Sequence, residues 1–381
     1  MRTTVVNQIT DIPLDDWNRV SGTGHPFLRH EFLSALETQG CVGETHGWWP
    51  QHIAAYDDAD TLVGIAPLYL KDNSYGEFVF DWAWAEAYQR AGLPYYPKLV
   101  SSIPYTPVTG SRLLVRPGSD YATVARALVD KALSLTTEKQ ASSLHWLFTN
   151  EADTSLLGHS GFMHRSSCHF HWHNDVYISF DDFLSRLSSR KRKKIRRERR
   201  HVREAGIKLD IVHGNEATDE QWQVMHALYC STFRKKSGVP TLSLGFFQEI
   251  SATMGEQVVL VFATLGQQTV AGAIMLRGDD ALYGRHWGCR EDFNSLHFEA
   301  CYYQGIDYCI RNKLALFEPG AQGEHKISRG FLPVYTWSAH WIADKQFRIA
   351  IERYLSQEHE LMVDYHNDLL QTSPYRKVND A

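Results

Sequence analysis

VVLVFATLGQQTVAGAIMLRGDDALYGRHWGC, residues 258–289, falls into three apolar runs divided by short turns at Gly266-Gln267 and Gly278-Asp279. The runs alternate as strands do, and turns this brief join antiparallel neighbours. The stretch therefore predicts a three-stranded meander. Upstream of it, DEQWQVMHALYCSTFRKK (219–236) and LGFFQEISATM (244–254) carry helical periodicity. Downstream, SLHFEACYYQGIDYCIRNK (295–313) places Phe298, Cys301, Tyr302, Gly305 and Cys309 on one helical face, with Asn294 or Ser295 to cap it. LALFEPG (314–320) is the next strand.

The first half of the chain repeats this order. Gly64 in LVGIAPLYLK precedes Tyr75-Gly76 by eleven residues, as Gly272 in VAGAIMLRG precedes Tyr283-Gly284. ATVARALVDKALSL supplies the helix and SLHWLFT (143–149) the strand. GFMHRSSCHFHW (161–172) and GFLPVYTWSAHW (330–341) share a Gly-Phe start and a His-Trp end at identical spacing. Two matches in the same order argue for two copies of one fold. The offsets are 208 and 169 residues, so the first copy carries about 39 extra residues. AEAYQRAGLPYYPKLVSSIPYTPVTGSRLL (85–114, closing by about 117) is the expected insertion, a long ordered loop over a site. The expected domains are 1–175 and 176–381.

Helix, meander, helix and a strand that rejoins the sheet is the order of the GNAT acyltransferase fold, and the chain resembles a tandem-GNAT protein. More closely, it resembles the FemAB-like group of N-acyltransferases associated with peptidoglycan biosynthesis. Three features carry the resemblance: the basic segment SSRKRKKIRRERRHVREAG before the strand IKLDIV, the Gly-punctuated meander, and FEPGAQGEHKISRGF (317–331). The resemblance implies an α/β (α+β mixed-sheet) protein of two GNAT-like domains. It also implies acyl transfer to an amine, on a small molecule or a cell-wall precursor.

At 381 residues, with 43 % hydrophobic and 22 % charged residues, the chain has the composition of a globular protein with a large core. No leader pattern opens it, and the longest apolar run, 258–265, is too short to span a bilayer. A cytoplasmic protein without membrane insertion is expected. Six scattered cysteines argue against a disulfide framework or a zinc–cysteine site. His169, His171 and His173 alternate on a strand and could converge on a metal. His171 also has its counterpart in His340, which lacks such companions, and a fold-conserving His-Trp pair explains it without a metal. No metal is therefore assigned.

From Arg186 to Arg203 there are eleven Lys or Arg and one acid, while the whole chain carries −5. A helix over 188–205, ended by Gly206, would bury only Ile195 and Val202 and surround them with cations. A DNA-binding segment, a membrane-surface helix, a solvated face and a phosphate handle are the competing readings. The acidic remainder of the chain would repel DNA. Recognition of a phosphate-bearing precursor or a tRNA backbone is favoured, with Arg190, Lys193, Lys194, Arg196, Arg197 and Arg200 as ligands.

N-acyl transfer needs a neutral amine, a stabilised carbonyl oxygen, a protonated leaving group and a held donor. FEPGAQGEHKISRG concentrates Glu318, Gln322, Glu324, His325, Lys326 and Arg329 beside glycines and a proline. Glu318 or Glu324 is the expected base-side carboxylate and His325 the alternate base. Lys326 would face the acyl carbonyl or a donor phosphate. On the third meander strand, which in the GNAT fold splays to expose backbone N–H groups, Arg285 and His286 are further candidates. Asp81, Trp82 and Trp84 form either an acceptor wall or a packed sheet edge. REDFNS (290–295) lacks the glycines with which acetyl-CoA-using GNATs cradle pyrophosphate. No tightly bound cofactor is expected, and the donor is either acyl-CoA or an aminoacyl-tRNA. A catalytically silent binding module is the alternative to an enzyme.

Overall fold

The meander forms over Val258–Leu265, Gln268–Arg277 and Ala281–Cys289, antiparallel throughout. In the computed structural model, which describes residues 1–235, 237–321 and 323–376, the chain divides into two compact units. The second unit comprises Cys168–Val334 and the chain from Tyr365. Its sheet order is Ile207–His213, the three meander strands, Leu316–Glu318 and then 168–173. Helices Asp219–Lys235 and Leu244–Met254 form where periodicity places them. The first lies directly on the third meander strand: a Cβ on Gly288 would stand 2.0 Å from the Leu228 carbonyl oxygen. The core gathers Trp172, Phe183, Ile195, Val259, Met275, Tyr303, Phe317 and Phe331 around this sheet.

The segment 295–313 is not one uniform helix. A short α-turn, Leu296–Phe298, leads into a π-helical turn, Glu299–Tyr303, before Gln304–Arg311 resumes as α-helix. The π-turn shifts the side chains, so all five of its residues are buried rather than a single stripe. Ser295 precedes the helix in a left-handed conformation and caps nothing with its side chain.

The first unit comprises Met1–Ser167 and Tyr335–Asp364. One sheet orders Arg2–Val6, His52–Tyr56, Leu62–Ala66 and Leu114–Val115; the other runs from Trp48–Pro50 through Tyr69–Lys71, Lys98–Ser101 and Ser143–Thr149 to 335–342. Helix Tyr121–Glu138 packs Val124 and Leu128 against Gly64 of the second meander strand. Met225 and Leu228 cover Gly272 in the same way.

Three expectations change. Tyr75-Gly76 follows the strand Tyr69–Lys71 as a turn, whereas Tyr283-Gly284 lies on a strand. The extra residues of the first copy are not a loop over 85–117: they begin after Lys71, form helix Trp82–Arg90 and contribute Lys98–Ser101 to the sheet. The units also differ from the contiguous division at 175/176. Met163–His173 and Leu332–Ile342 are matching 11-residue strands, each following a Gly-Phe pair. Their His-Trp ends close the opposite copies, with His171-Trp172 in the second unit and His340-Trp341 in the first. Segment order alone could not reveal this exchange, because both strands have the same pattern.

Candidate active site

In the second unit, the third meander strand and Leu316–Glu318 run parallel for three residues, Tyr283 lying opposite Glu318. Beyond that point Pro319 and Gly320 turn the chain aside, and the strand edge from Gly284 to Cys289 leaves its parallel partner. A fork opens there. The register between the second and third meander strands also slips, His286 pairing with Ile274 and Gly284 with Met275, so Arg285 occupies a bulge at the fork.

Glu318 is buried at the fork, 6 % exposed. Phe317 pairs with Trp172 of the closing strand, and one step further the His171 Nε2 stands 3.6 Å from Glu318 Oε2. That nitrogen is buried and has no hydrogen-bond partner. Burial, then the charges of His169, His173 and Lys326, lower the His171 pKa to about 3. Burial, then Lys326 and Arg285, lower that of His169 to about 4. Both rings are therefore neutral near pH 7. Burial lowers the Arg285 pKa to about 10 against the opposing pull of Glu318 and Tyr229, so it keeps its charge. Burial, then Glu318 and Asp280, push the Tyr283 phenol upward.

Lys326 lies on the 3-10 turn Glu324–Arg329 and is 2 % exposed. Its Nζ donates to the Gly320 carbonyl at 2.6 Å. Burial draws its pKa down to about 8, Cys301 opposing. Near physiological pH it is thus divided between ammonium and free amine, the property a proton-exchanging group needs.

The other predicted cluster residues separate from this pair. Glu324 is exposed and accepts from the Tyr365 hydroxyl at 2.8 Å. His325 is exposed, and its Nε2 shares a 2.9 Å hydrogen bond with the Tyr302 hydroxyl. Arg329, 2 % exposed, forks onto Glu198 at 2.8 and 3.2 Å and lies 3.3 Å over the Phe298 ring. Glu198 accepts from Tyr303 as well. Arg329 therefore clamps the basic helix to the turn that carries Lys326. Gln322 lies outside the described residues. His286 packs edge-on against Tyr229 at 4.8 Å, held neutral at a pKa of about 3 by burial and then by Arg285.

The basic segment forms helix Ser189–Glu204, with Ile195, Glu198 and Val202 inward. With Phe180, Asp181 and Leu184, its Lys and Arg side chains line an open groove of about 1170 Å³. Arg196 pairs with Asp181 at 3.1 Å, Arg200 with Glu204 at 3.6 Å, Arg199 with Glu299 at 3.1 Å, and Lys194 donates to Ser328 at 3.2 Å. Arg190, Lys193 and Arg197 make no ion pair among the described residues. The groove keeps an excess of uncompensated positive charge.

The first unit carries a different arrangement at the matching register. His145 pairs with His340, their Nδ1 atoms 2.7 Å apart, just as Glu318 faces His171. Burial, then Lys98, lowers the His145 pKa to about 3. Trp84 lies edge-on over His340 at 5.1 Å and is itself buried, so it caps this pair. Asp81 lies not on a strand but just before helix Trp82–Arg90, where it accepts from Lys98 and from the Tyr95 hydroxyl at 2.6 Å. Trp82 alone of the expected wall faces solvent, 43 % exposed. These three residues therefore form no sheet edge: Trp82 and Trp84 lie on the helix and Asp81 immediately precedes it.

Sequence reading missed the Glu318–His171 pair, because His171 had been weighed only as a metal ligand or a fold histidine. The signal available was its match to His340, which marks a closing strand beside the strand that ends in Glu318. It also missed Glu198, the one acid of the basic run, and Lys98. Among the described residues, no group of three or more His, Cys, Asp or Glu is arranged to hold a metal ion. The loop 290–295 contains no glycine, and its Asp292 stands 3.6 Å from Lys235.

A family model described as FemAB-like, peptidoglycan biosynthesis/recognition, matches residues 8–377. Among solved structures, FemX is similar over 92 % of this chain and 100 % of its own, at 12 % identity and a TM-score of 0.56. The C-terminal domain of a putative lysylphosphatidylglycerol synthetase from Agrobacterium fabrum matches over 90 % of this chain and 96 % of its own, at 7 % identity and a TM-score of 0.55. A tandem GNAT protein from the clavulanic acid biosynthesis pathway matches over 90 % and 98 %, at 11 % identity and a TM-score of 0.45. No curated protein matches the sequence. The likenesses to FemX and to the synthetase domain, both with TM-scores above 0.5, show that this chain shares their mixed α/β fold.

Proposed function

Since the chain belongs to the FemAB-like family of peptidoglycan biosynthesis/recognition, we propose that it is an N-acyltransferase whose chemistry occurs at the fork of the second unit. The family and the fold support an acyltransferase-type role in peptidoglycan biosynthesis. The observation that carries the finer reading is the meeting at one strand separation of a buried carboxylate, Glu318, its neutral neighbour His171 and the bulged Arg285. Lys326 lies on the turn that follows, bonded to Gly320.

In this reading an acceptor amine enters the fork and attacks the acyl carbonyl carbon. A C–N bond forms, and the C–O or C–S bond to the donor breaks. Neutral Lys326 takes the proton shed by the attacking nitrogen and returns it to the leaving oxygen or sulfur. Glu318, beside Arg285 at the fork, orients the incoming amine. Arg285 and the released edge beyond Tyr283 face the oxygen on which charge develops. The basic groove holds the phosphates of a substrate or carrier, with Arg190, Lys193 and Arg197 as its uncompensated cations.

The donor remains one of two. An aminoacyl-tRNA suits the cationic groove; an acyl-CoA would need its phosphates met outside loop 290–295. The test is mass-spectrometric detection of acyl transfer to amine-bearing cell-wall precursors with each donor, over pH 6–9. The expected rate rises with pH and levels off above about 8, as Lys326 becomes neutral. A saturable binder of both donors that transfers nothing to any such acceptor would instead be a silent binding module.

A further inference from the structure

Val176 and Ile178 are 87 % and 88 % exposed, in the segment that leads into helix Phe180–Arg186. Single exposed aliphatics are ordinary, but these two flank one residue. Val176 also holds a φ of +55°, a left-handed conformation that a β-branched side chain adopts only at a cost. The segment is firmly placed. Tyr177 between them is buried against Trp172 and Phe183, the Tyr177 N–H donates to Asn174, and the Ile178 N–H donates to Asp182.

The same segment borders the basic groove. Phe180 and Asp181 line it, and the Arg199 guanidinium lies 4.3 Å over the Phe180 ring. The local acids do not neutralise the groove. Asp181 is paired with Arg196, and Asp182 accepts a loop N–H, leaving Asp175 as the other carboxylate there.

We propose that this face of the second unit docks on an anionic lipid bilayer. Val176 and Ile178 enter the interfacial layer while Arg190, Lys193 and Arg197 meet headgroup phosphates. The inference rests on the reading of the groove as a phosphate handle and names the partner. A nucleic-acid backbone or a soluble diphosphate would engage the cations but would have no use for two aliphatics held into water. A bilayer engages both, and two weak anchors together give stable adsorption where either alone does not. Contact is at the depth of side chains; no helix among the described residues is long and apolar enough to cross a membrane. An amine acceptor carried on a lipid would then be presented beside the groove.

The test is flotation of the full-length protein with phosphatidylcholine vesicles, with and without phosphatidylglycerol, alongside binding of tRNA and of a nucleoside diphosphate. Val176→Ser/Ile178→Ser and Lys193→Gln/Arg197→Gln are compared with the native chain, and melting curves confirm that each variant is folded. Flotation with anionic vesicles only, weakened about tenfold or more in both double variants, is the expected result. Anionic-vesicle binding unchanged by Val176→Ser/Ile178→Ser overturns the proposal. Binding of tRNA or diphosphate without vesicle binding leaves the phosphate handle standing and removes the bilayer. Binding of none of them removes both.

Discussion

Replacing Lys326 by Met is expected to raise stability while abolishing turnover. The Lys326 ammonium is 2 % exposed, and burial lowers its pKa from the ordinary 10.5 to about 8. The charged form is thus disfavoured in the native state relative to the unfolded chain. The resulting penalty is present in full below about pH 8 and fades as pH rises toward 10.5. At 1.36 kcal/mol per pH unit, it amounts to about 3 kcal/mol. Opposing it, the substitution leaves the Gly320 carbonyl without its 2.6 Å donor, a loss of about 1–2 kcal/mol. Methionine has similar length and adapts to the space, so little cavity cost is added. Lys326→Met should therefore stabilise the second unit by about 1–2 kcal/mol at pH 7 and lose that advantage near pH 10. Urea denaturation at both pH values, followed by tryptophan fluorescence, reads the difference. A destabilisation of about 2 kcal/mol or more at pH 7, unchanged at pH 10, would refute the reasoning and make Lys326 a structural cation.

Glu198→Ala should cost about 3–5 kcal/mol, because Arg329 would remain buried without its carboxylate; a thermal melt measures this, and groove binding should fall with it. Lys98→Met should destabilise the first unit by a similar amount, about 3–5 kcal/mol, since it strands Glu77 and Asp81, which it bonds together inside the core. Burial already pushes the Glu77 pKa up to about 7 against the pull of Lys98, so a pH titration of the melt should show that carboxyl taking up its proton more readily in the variant. Gly288→Ala should cost about 1–3 kcal/mol or more, because its Cβ would meet the Leu228 carbonyl oxygen at 2.0 Å; soluble yield and melting temperature report it.

Local patterning made the second unit's framework legible. Two helices and three strands lie where periodicity places them, because each buries one face or one run against a neighbour. The repeated GF…HW pattern marked two equivalent strands. It could not show that each closes the other copy's sheet, since pairing partners are set by tertiary contacts. The cluster 318–329 was visible as a density of ionisable groups. Burial, which sequence does not record, then sorted it: Glu318 and Lys326 inward, Glu324 and His325 outward, Arg329 into a clamp with Glu198. Asp81 stood out in the sequence as a candidate wall residue, but its buried pairing with Glu77 and Lys98 was not legible, because the three are dispersed along the chain and meet only through tertiary contacts.

The central claim is that the fork of the second unit performs acyl transfer. Its most direct test is the single-turnover rate of Glu318→Gln, measured beside donor affinity for the same preparation, in the full-length protein. The account predicts a fall in rate of about 100-fold or more with donor affinity unchanged, the mark of a group that acts on the reacting atoms. An unchanged rate, or equal losses in rate and affinity, would contradict it.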